Sequence, residues 1–234
     1  MNVLAIGSHP DDLEIGCGGT LIRYAREGHK VTMCTISNGD KGHVVIMPDE
    51  LCEIRRKESE AAAELIGADY YCIDLGDGFV ECGNKEARDK LIELIRKTKP
   101  DVIITHNPDD YMRDHMQTSA LAYDASFVST LPHLFTESKF TTEFPPIFYM
   151  DTLAGIGFIP TEYVDISDVI ELKLQALACH ESQIKWMRDH DRIDFLDFAR
   201  TCNKYRGFQA SVAYAEGFRQ YAGWPRFRTT RLLP

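Results

Sequence analysis

Val3-Leu4-Ala5-Ile6-Gly7-Ser8-His9-Pro10-Asp11-Asp12-Leu13-Glu14 begins as an apolar run and turns abruptly polar. Four small or branched apolar residues ending at Gly7 predict a short buried strand over 2–7. In open α/β sheets, ligand-binding and catalytic groups gather just beyond the carboxyl ends of strands. There His9 and Asp12 can offer a nitrogen and an oxygen to one cation, and Asp11 is a spare carboxylate beside them. Pro10 stiffens the turn. An acidic turn of this kind can also do no more than cap the helix that follows. Glu14 reads equally as a carboxylate at a helix start and as a partner for a ligand histidine. Gly16-Cys17-Gly18-Gly19 leads into a helix expected near 19–28, with Gly28 as its stop.

The alternation of strand and helix continues outward from there. Residues 30–36 form a β-branched strand, 51–66 a helix with Ile54, Ala61, Ala62 and Leu65 inward, and 69–73 a third strand. A helix over 86–97 is marked by Leu91, Leu94 and Ile95, and 100–106 is nearly continuous in apolar residues, as a buried parallel strand should be. This pattern predicts an α/β chain with a parallel sheet and crossover helices. A helix follows near 115–129, then an irregular stretch over 130–146 carrying Pro132, Pro145 and Pro146. Late strands are expected at 147–150 and 163–166, a helix capped by Ser167 over 168–180, another over 194–206, and a short element over 211–218. A basic tail (Arg226, Arg228, Arg231) ends the chain. No repeat or linker divides it, so one domain over 1–234 is expected, its core in 1–130 and completed by 147–220.

With 234 residues, 44% hydrophobic and 26% charged, the chain can bury a core without disulfide staples. Its net charge of −10 argues against nucleic acid or an anionic membrane as the main partner. The seven cysteines form no C-x-x-C pair and suit reduced thiols in a cytoplasmic setting. The first residues lack the basic and apolar regions of a secretory signal, and no apolar run reaches the roughly 18 residues of a membrane span.

A catalytic zinc takes three protein ligands and leaves one position for water. The N-terminal loop supplies two, so a third should come from the end of another strand. The strand over 100–106 runs into Asn107-Pro108-Asp109-Asp110-Tyr111-Met112-Arg113-Asp114-His115, and His115 stands a few residues past it at a helix start, like His9. His106, nearer the strand, reads as a packing residue. His9-x-Asp11 with His115 also fits a 2-His-1-carboxylate iron oxygenase, against which the strand–helix alternation speaks. Gly16-x-Gly18-Gly19 lies too far past the strand for a dinucleotide fingerprint.

His9-Pro10-Asp11-Asp12-x-Glu14 after a first strand, with Asp114-His115 at a later helix start, resembles the LmbE/PIG-L-type de-N-acetylases. Arg56-Lys57-Glu58, Glu181-Ser182-Gln183 and Tyr214-Ala215-Glu216-Gly217-Phe218 support the resemblance. It implies a Rossmann-like fold and hydrolysis of an N-acetyl group from a small N-acyl amino sugar or glycoconjugate. It further implies one zinc ion at His9, Asp12 and His115, another divalent cation being left open. Asp11 would be the general base, Asp114 would belong to the catalytic groups, and Arg56 would lie near substrate oxygens. A homo-oligomer is left open as well. One departure stands out: the family's later motif commonly reads H-P-D-H, and here the stretch is Met112-Arg113-Asp114-His115. Methionine can neither donate a proton nor carry charge. Arg113 could stabilise an oxyanion but is too basic to be the acid. His43, His133 and His180 are the histidines considered for that role. The alternative is a catalytically impaired metal- or sugar-binding homologue.

Overall fold

The sheet grows from the predicted first strand. In the computed structural model, which describes residues 1–226, β1 (Asn2–Gly7) lies at its centre. Arg228 and Arg231 of the basic tail lie outside the described residues. On one side of β1 stand β2 (Lys30–Ser37) and then β3 (Asp69–Leu75); on the other stands β4 (Val102–Thr105), followed by β5 (Ile147–Met150). These five strands are parallel. Two more, β6 (Glu162–Asp165) and β7 (Ala215–Gln220), complete the order β3-β2-β1-β4-β5-β7-β6, with β7 antiparallel to both its neighbours.

Because successive strand residues point to opposite faces, β1 feeds two cores. Val3 and Ala5 pack with Leu21 of α1 (Asp12–Arg26), Ala62 of α2 (Pro48–Ile66), and buried residues of α5 (Ile170–Ala178) and α7 (Phe195–Ala210). Leu4 and Ile6 pack on the other face with Leu91 of α3 (Lys85–Thr98) and Leu121 of α4 (Arg113–Val128). A short helix, α6 (Glu181–Trp186), lies between α5 and α7 and was not separated from the helix expected over 168–180. Gly28 and Gly67 follow helix ends with φ of 80° and 85°, the left-handed backbone that favours glycine. Among the described residues, no helix is long and apolar enough to cross a membrane.

Three expectations need correction. Ser167 does not cap α5; its hydroxyl donates to Asp165 Oδ1 at 2.6 Å, and the capping position is Val169. The inward face of α2 is Leu51, Arg55, Ser59, Ala62, Ala63 and Ile66, whereas Ala61 and Leu65 are exposed. The stripe is rotated by about one residue. Finally, α1 starts at Asp12, so Gly16-Cys17-Gly18-Gly19 lies inside the helix. Glycine in a helix interior costs roughly 1 kcal/mol against alanine, and close packing is the return. A Cβ at Gly16 would stand 2.5 Å from Met150 Sδ, and one at Gly19 2.7 Å from Ile166 Cγ2.

The glycine-rich stretch of α1 is also held by a buried ion pair. Glu216 accepts from Gly19 N and Thr20 N, both at 2.8 Å, and from Thr20 Oγ1 at 2.6 Å. Lys173 Nζ donates to Glu216 Oε1 and to Ile15 O, each at 2.7 Å. Ile15 O and Gly19 N, a helical i→i−4 pair, thus each have a side-chain partner. Lys173→Met should leave the Glu216 carboxylate buried without its counter-charge and destabilise the fold by about 3 kcal/mol, the lower end for breaking a buried pair, since three hydrogen bonds remain. Denaturant unfolding with an unchanged slope checks this.

Candidate metal and active site

The site forms where the chain reverses direction across the sheet. Ile6 of β1 pairs with Thr105 of β4, so the loops that leave these two strands emerge side by side. From β1 the sheet proceeds to β2 on one side and to β4 on the other, the switch point at which open α/β sheets form their crevice.

Asp12 anchors the first loop. Its Oδ2 accepts from His9 N at 2.6 Å and lies 3.1 Å from Ser8 N, which closes the turn around its own side chain. Asp11, just before α1, has φ of 102° and is buried. Such backbone in a non-glycine residue costs on the order of 1–3 kcal/mol and persists only where its surroundings enforce it.

His9, Asp12 and His115 each bring one ligand atom to within 4.8 Å of the others. His115 Nε2 stands 3.3 Å from Asp12 Oδ1, and His9 Nδ1 3.4 Å from Asp12 Oδ2. The remaining ring nitrogens face carboxylates: His9 Nε2 lies 3.2 Å from Asp114 and 3.3 Å from Asp77, and His115 Nδ1 lies 3.1 Å from Asp110. Those carboxylates are held in turn, Asp114 by Gly78 N at 2.8 Å and Asp110 by Met112 N at 2.9 Å. Metal-ligating histidines show this arrangement, one nitrogen to the cation and the other to a carboxylate. His115 Nε2 is buried with no hydrogen-bond partner, as a nitrogen reserved for a cation would be. Two imidazoles and one carboxylate suit zinc.

His106 was read as a packing residue, and the structure places it in the cluster. The strand ends at Thr105, so His106 already belongs to the loop; its ring stacks on His115 at 3.8 Å and its Nε2 is 3.1 Å from Asp12 Oδ2. Burial, then the neighbouring His115, lowers its pKa to about 4, which keeps it neutral. Burial pulls on His115 too, but the Asp12 charge and the Asp110 hydrogen bond outweigh it and push its pKa up to about 9. Asp12 is held well below the usual carboxylate range by His115 and His106 despite its burial. Asp11 moves the other way: burial, then the Asp12 charge, raises it to about 7 against His180, Arg55 and His9.

Asp114 enters the site as expected, against His9. Arg56 does not. It is exposed and pairs with Glu53, because the rotation of α2 turns it outward. Arg55 is the inward residue, donating to Gly42 O at 3.0 Å and to Gln183 Oε1. Glu14 meets His180 rather than a ligand histidine. Arg113 is exposed against Glu81, His133 is exposed, and His43 accepts from the backbone of Val45 and Ile46. Met112 caps α4 through its backbone. Sequence reasoning missed Asp77 and Asp110; the Gly76-Asp77-Gly78 turn after the third strand and the doubled Asp109-Asp110 before His115 were the available signals.

Residues 4–126 match the family described as PIG-L, GlcNAc-PI de-N-acetylase. The chain belongs to this family. The diacetylchitobiose deacetylase of Thermococcus kodakarensis is 30% identical over 94% of this chain and 83% of its own length. Among solved structures, the N,N'-diacetylchitobiose deacetylase of Pyrococcus horikoshii superposes with a TM-score of 0.80 at 30% identity, covering 94% of this chain and 83% of that one. A 4-carboxy-2-hydroxymuconate hydratase from Pseudomonas putida reaches 0.84 at 22% identity over the full length of both chains, and shares the fold. PIG-L enzymes are metal-dependent, and His9, Asp12 and His115 of this chain form a group that could hold a metal ion.

With its pKa raised to about 9 by Asp12 and Asp110, His115 would have to give up a proton to take a cation. Adding zinc to metal-stripped protein at pH 7 should release protons, and apparent affinity should fall as pH falls from about 9. Titration in weakly buffered solution checks the first; affinity across pH checks the second. His115→Ala should lose most of the bound metal, read by elemental composition.

Proposed function

We propose that this PIG-L family member is a zinc-dependent N-deacetylase of a small amino-sugar substrate, with the ion held by His9, Asp12 and His115. One observation carries the reading: at the switch point an N,N,O donor set, with Asp12 and His115 buried and His9 partly so, lies beside Asp11, a carboxylate outside that set. When bound, zinc would lower the pKa of a water toward about 7 and polarise an amide oxygen.

The rest of the chemistry belongs to the chain. Asp11 takes the proton of the attacking water. The pKa of about 7 that burial and Asp12 impose would be drawn back toward the carboxylate range by a positive charge beside Asp12, leaving Asp11 ionised and able to accept. The same proton then passes from Asp11 to the departing amine nitrogen, since Met112 has none to give. Asp114 holds the outer nitrogen of His9. Arg55 is the arm toward substrate oxygens: buried, without an ion pair among the described residues, and with its Nε unpartnered. The seven free cysteines support a cytoplasmic setting.

Acetate release from N-acetylglucosamine and N,N'-diacetylchitobiose, with zinc and after chelation, tests the assignment; metal-dependent release is expected from at least one. Binding of these sugars and of zinc without acetate release would establish the impaired homologue instead. Water addition to an unsaturated tricarboxylate, with no acetate release, would place the chemistry with the hydratase. Asp11→Asn should retain metal and lose roughly 10²- to 10⁴-fold in kcat, the usual contribution of a positioned proton acceptor. Arg55→Ala should raise KM about tenfold or more, the loss of a charge-assisted hydrogen bond, while Arg56→Ala leaves it unchanged.

A further inference from the structure

A cavity of about 560 Å³, within the usual size range of a small-molecule site, lies along α7. Asp194, Asp197, Phe198, Thr201, Cys202 and Tyr205 line it, and their spacing of three and four residues makes one stripe of the helix. The neighbouring stripe, Phe195, Ala199 and Asn203, is buried. The facing wall is a 3-10 turn at Leu153–Gly155, in which Ala154 and Gly155 have φ of 58° and 70°. A Cβ at Gly155 would stand 2.7 Å from Arg206 Nη2, so the glycine lets the guanidinium lie against this turn. None of His9, Asp11, Asp12, Asp114 or His115 lines the cavity.

A smaller cavity of about 30 Å³ shares Asp151, Ala154, Phe198, Cys202 and Arg206 with the first and runs inward to Asn203 and to Ile15 of α1. That volume is enough for one small polar group. Asn203 is 6% exposed. Its Nδ2 donates to Ala215 O at 3.1 Å, which fixes the orientation of the amide because a carbonyl oxygen only accepts. Oδ1 is left buried with no hydrogen-bond partner, a deficit that a bound donor would relieve.

Three carboxylates and one guanidinium line the larger cavity, and the guanidinium is committed. Arg206 Nε and Nη2 donate to Asp151 at 2.5 and 3.0 Å, and Nη1 donates to Gln209 at 2.8 Å. Asp194 accepts from Asp197 N at 3.0 Å, and neither acid has an ion-pair partner among the described residues. Acids at a helix start can do no more than stabilise that helix, and here it is the buried Asn203 oxygen that asks for a ligand. Between the acidic mouth and that oxygen the walls include Ile193, Phe198 and Tyr205. The unmet demand is therefore for N–H donors and positive charge on an apolar body.

We propose that this cavity binds a small organic ammonium ion with an apolar or aromatic body, its N–H group seated on Asn203 Oδ1. Asp194 and Asp197 draw the cation in, since apolar walls concentrate the field of unpaired carboxylates, and the rings of Phe198 and Tyr205 offer it an aromatic face. Binding here requires no turnover, so this site and the deacetylase reading stand or fall separately.

Benzylammonium is the probe, with benzyl alcohol and benzoate as neutral and anionic controls of similar size. Calorimetric titration of the full chain at pH 7 should give saturable binding of benzylammonium with a Kd of about 1 mM or tighter. Either control should bind at least about tenfold more weakly, the worth of a charge-assisted contact. Zinc-loaded and chelated protein should bind the probe alike. Asn203→Leu should weaken binding about tenfold and Asp197→Asn about threefold. Thr201→Trp, a change at an exposed position on the lining stripe, should fill the cavity and abolish binding. Occupancy should slow alkylation of Cys202 by iodoacetamide, read for each cysteine by mass spectrometry, and leave Cys52, which lines a different cavity, unaffected. No saturable binding, equal binding of the three probes, full affinity in Thr201→Trp, dependence on zinc, or protection of Cys52 as strong as that of Cys202 would overturn the proposal. If Asn203→Leu does not fold, Asp197→Asn and Thr201→Trp, both at exposed positions, carry the comparison.

Discussion

One carboxylate ties backbone and chemistry together. Asp12 satisfies its own loop, accepting from His9 N, and holds His106 and His115 against itself. A buried carboxylate is costly unless paired and hydrogen-bonded, and here the backbone N–H groups of Ser8 and His9 and the imidazoles of His106 and His115 answer that cost. The turn between β1 and α1, the stacking of His106 on His115 and the approach of the two loops all depend on it. A residue that must close a turn and also face a cation tolerates little change. Asparagine would keep the turn's acceptor and lose the charge; glutamate would keep the charge and move it by a methylene.

Around this hub the outer contacts come from widely separated stretches. Asp77 and Gly78 reach in from the end of β3, Asp110 and Asp114 from the end of β4, and the α5–α6 corner closes from behind. The outer carboxylates face one nitrogen of each candidate ligand imidazole and so favour one tautomer and orient the other nitrogen inward. The departure at Met112 sits at the open edge of this shell. Its backbone caps α4, while Tyr111 and Arg113 point to solvent.

The sequence showed the parallel part of the sheet well, because the strands over 2–7 and 100–106 are nearly continuous in apolar residues and 30–36 is rich in β-branched ones. It showed His9, Asp12 and His115 because each stands past a strand end. What it concealed has physical reasons. In α2 the run Ala61-Ala62-Ala63 fits two adjacent faces equally, so the pattern chose the one with Ile54 and Leu65 inside. The structure chose the other and buried Arg55 and Ser59, polar residues that a pattern of apolar positions excludes, because Gly42 O and Gln183 are there to receive the guanidinium. His106 misled because apolarity predicts where a strand is buried and not where its ladder stops. The start of α1 was hidden by three glycines that read as a turn, and only the partners of Gly16 and Gly19 in space make them helical.

The ion pair of Lys173 and Glu216 bears on the order in which the protein can be made. Glu216 holds the backbone of Gly19 and Thr20 across 197 and 196 residues of chain. The helix that begins with Asp12 is therefore completed by a segment that leaves the ribosome 197 residues after Gly19. Until α5 and β7 have emerged, the glycine-weakened α1 lacks both the Lys173 ammonium at Ile15 O and the Glu216 carboxylate at Gly19 and Thr20. The stretch that carries the family's resemblance, residues 4–126, contains all three candidate ligands and Asp11, yet lacks the residues that finish their scaffold. Synthesis reaches the chemistry well before its support.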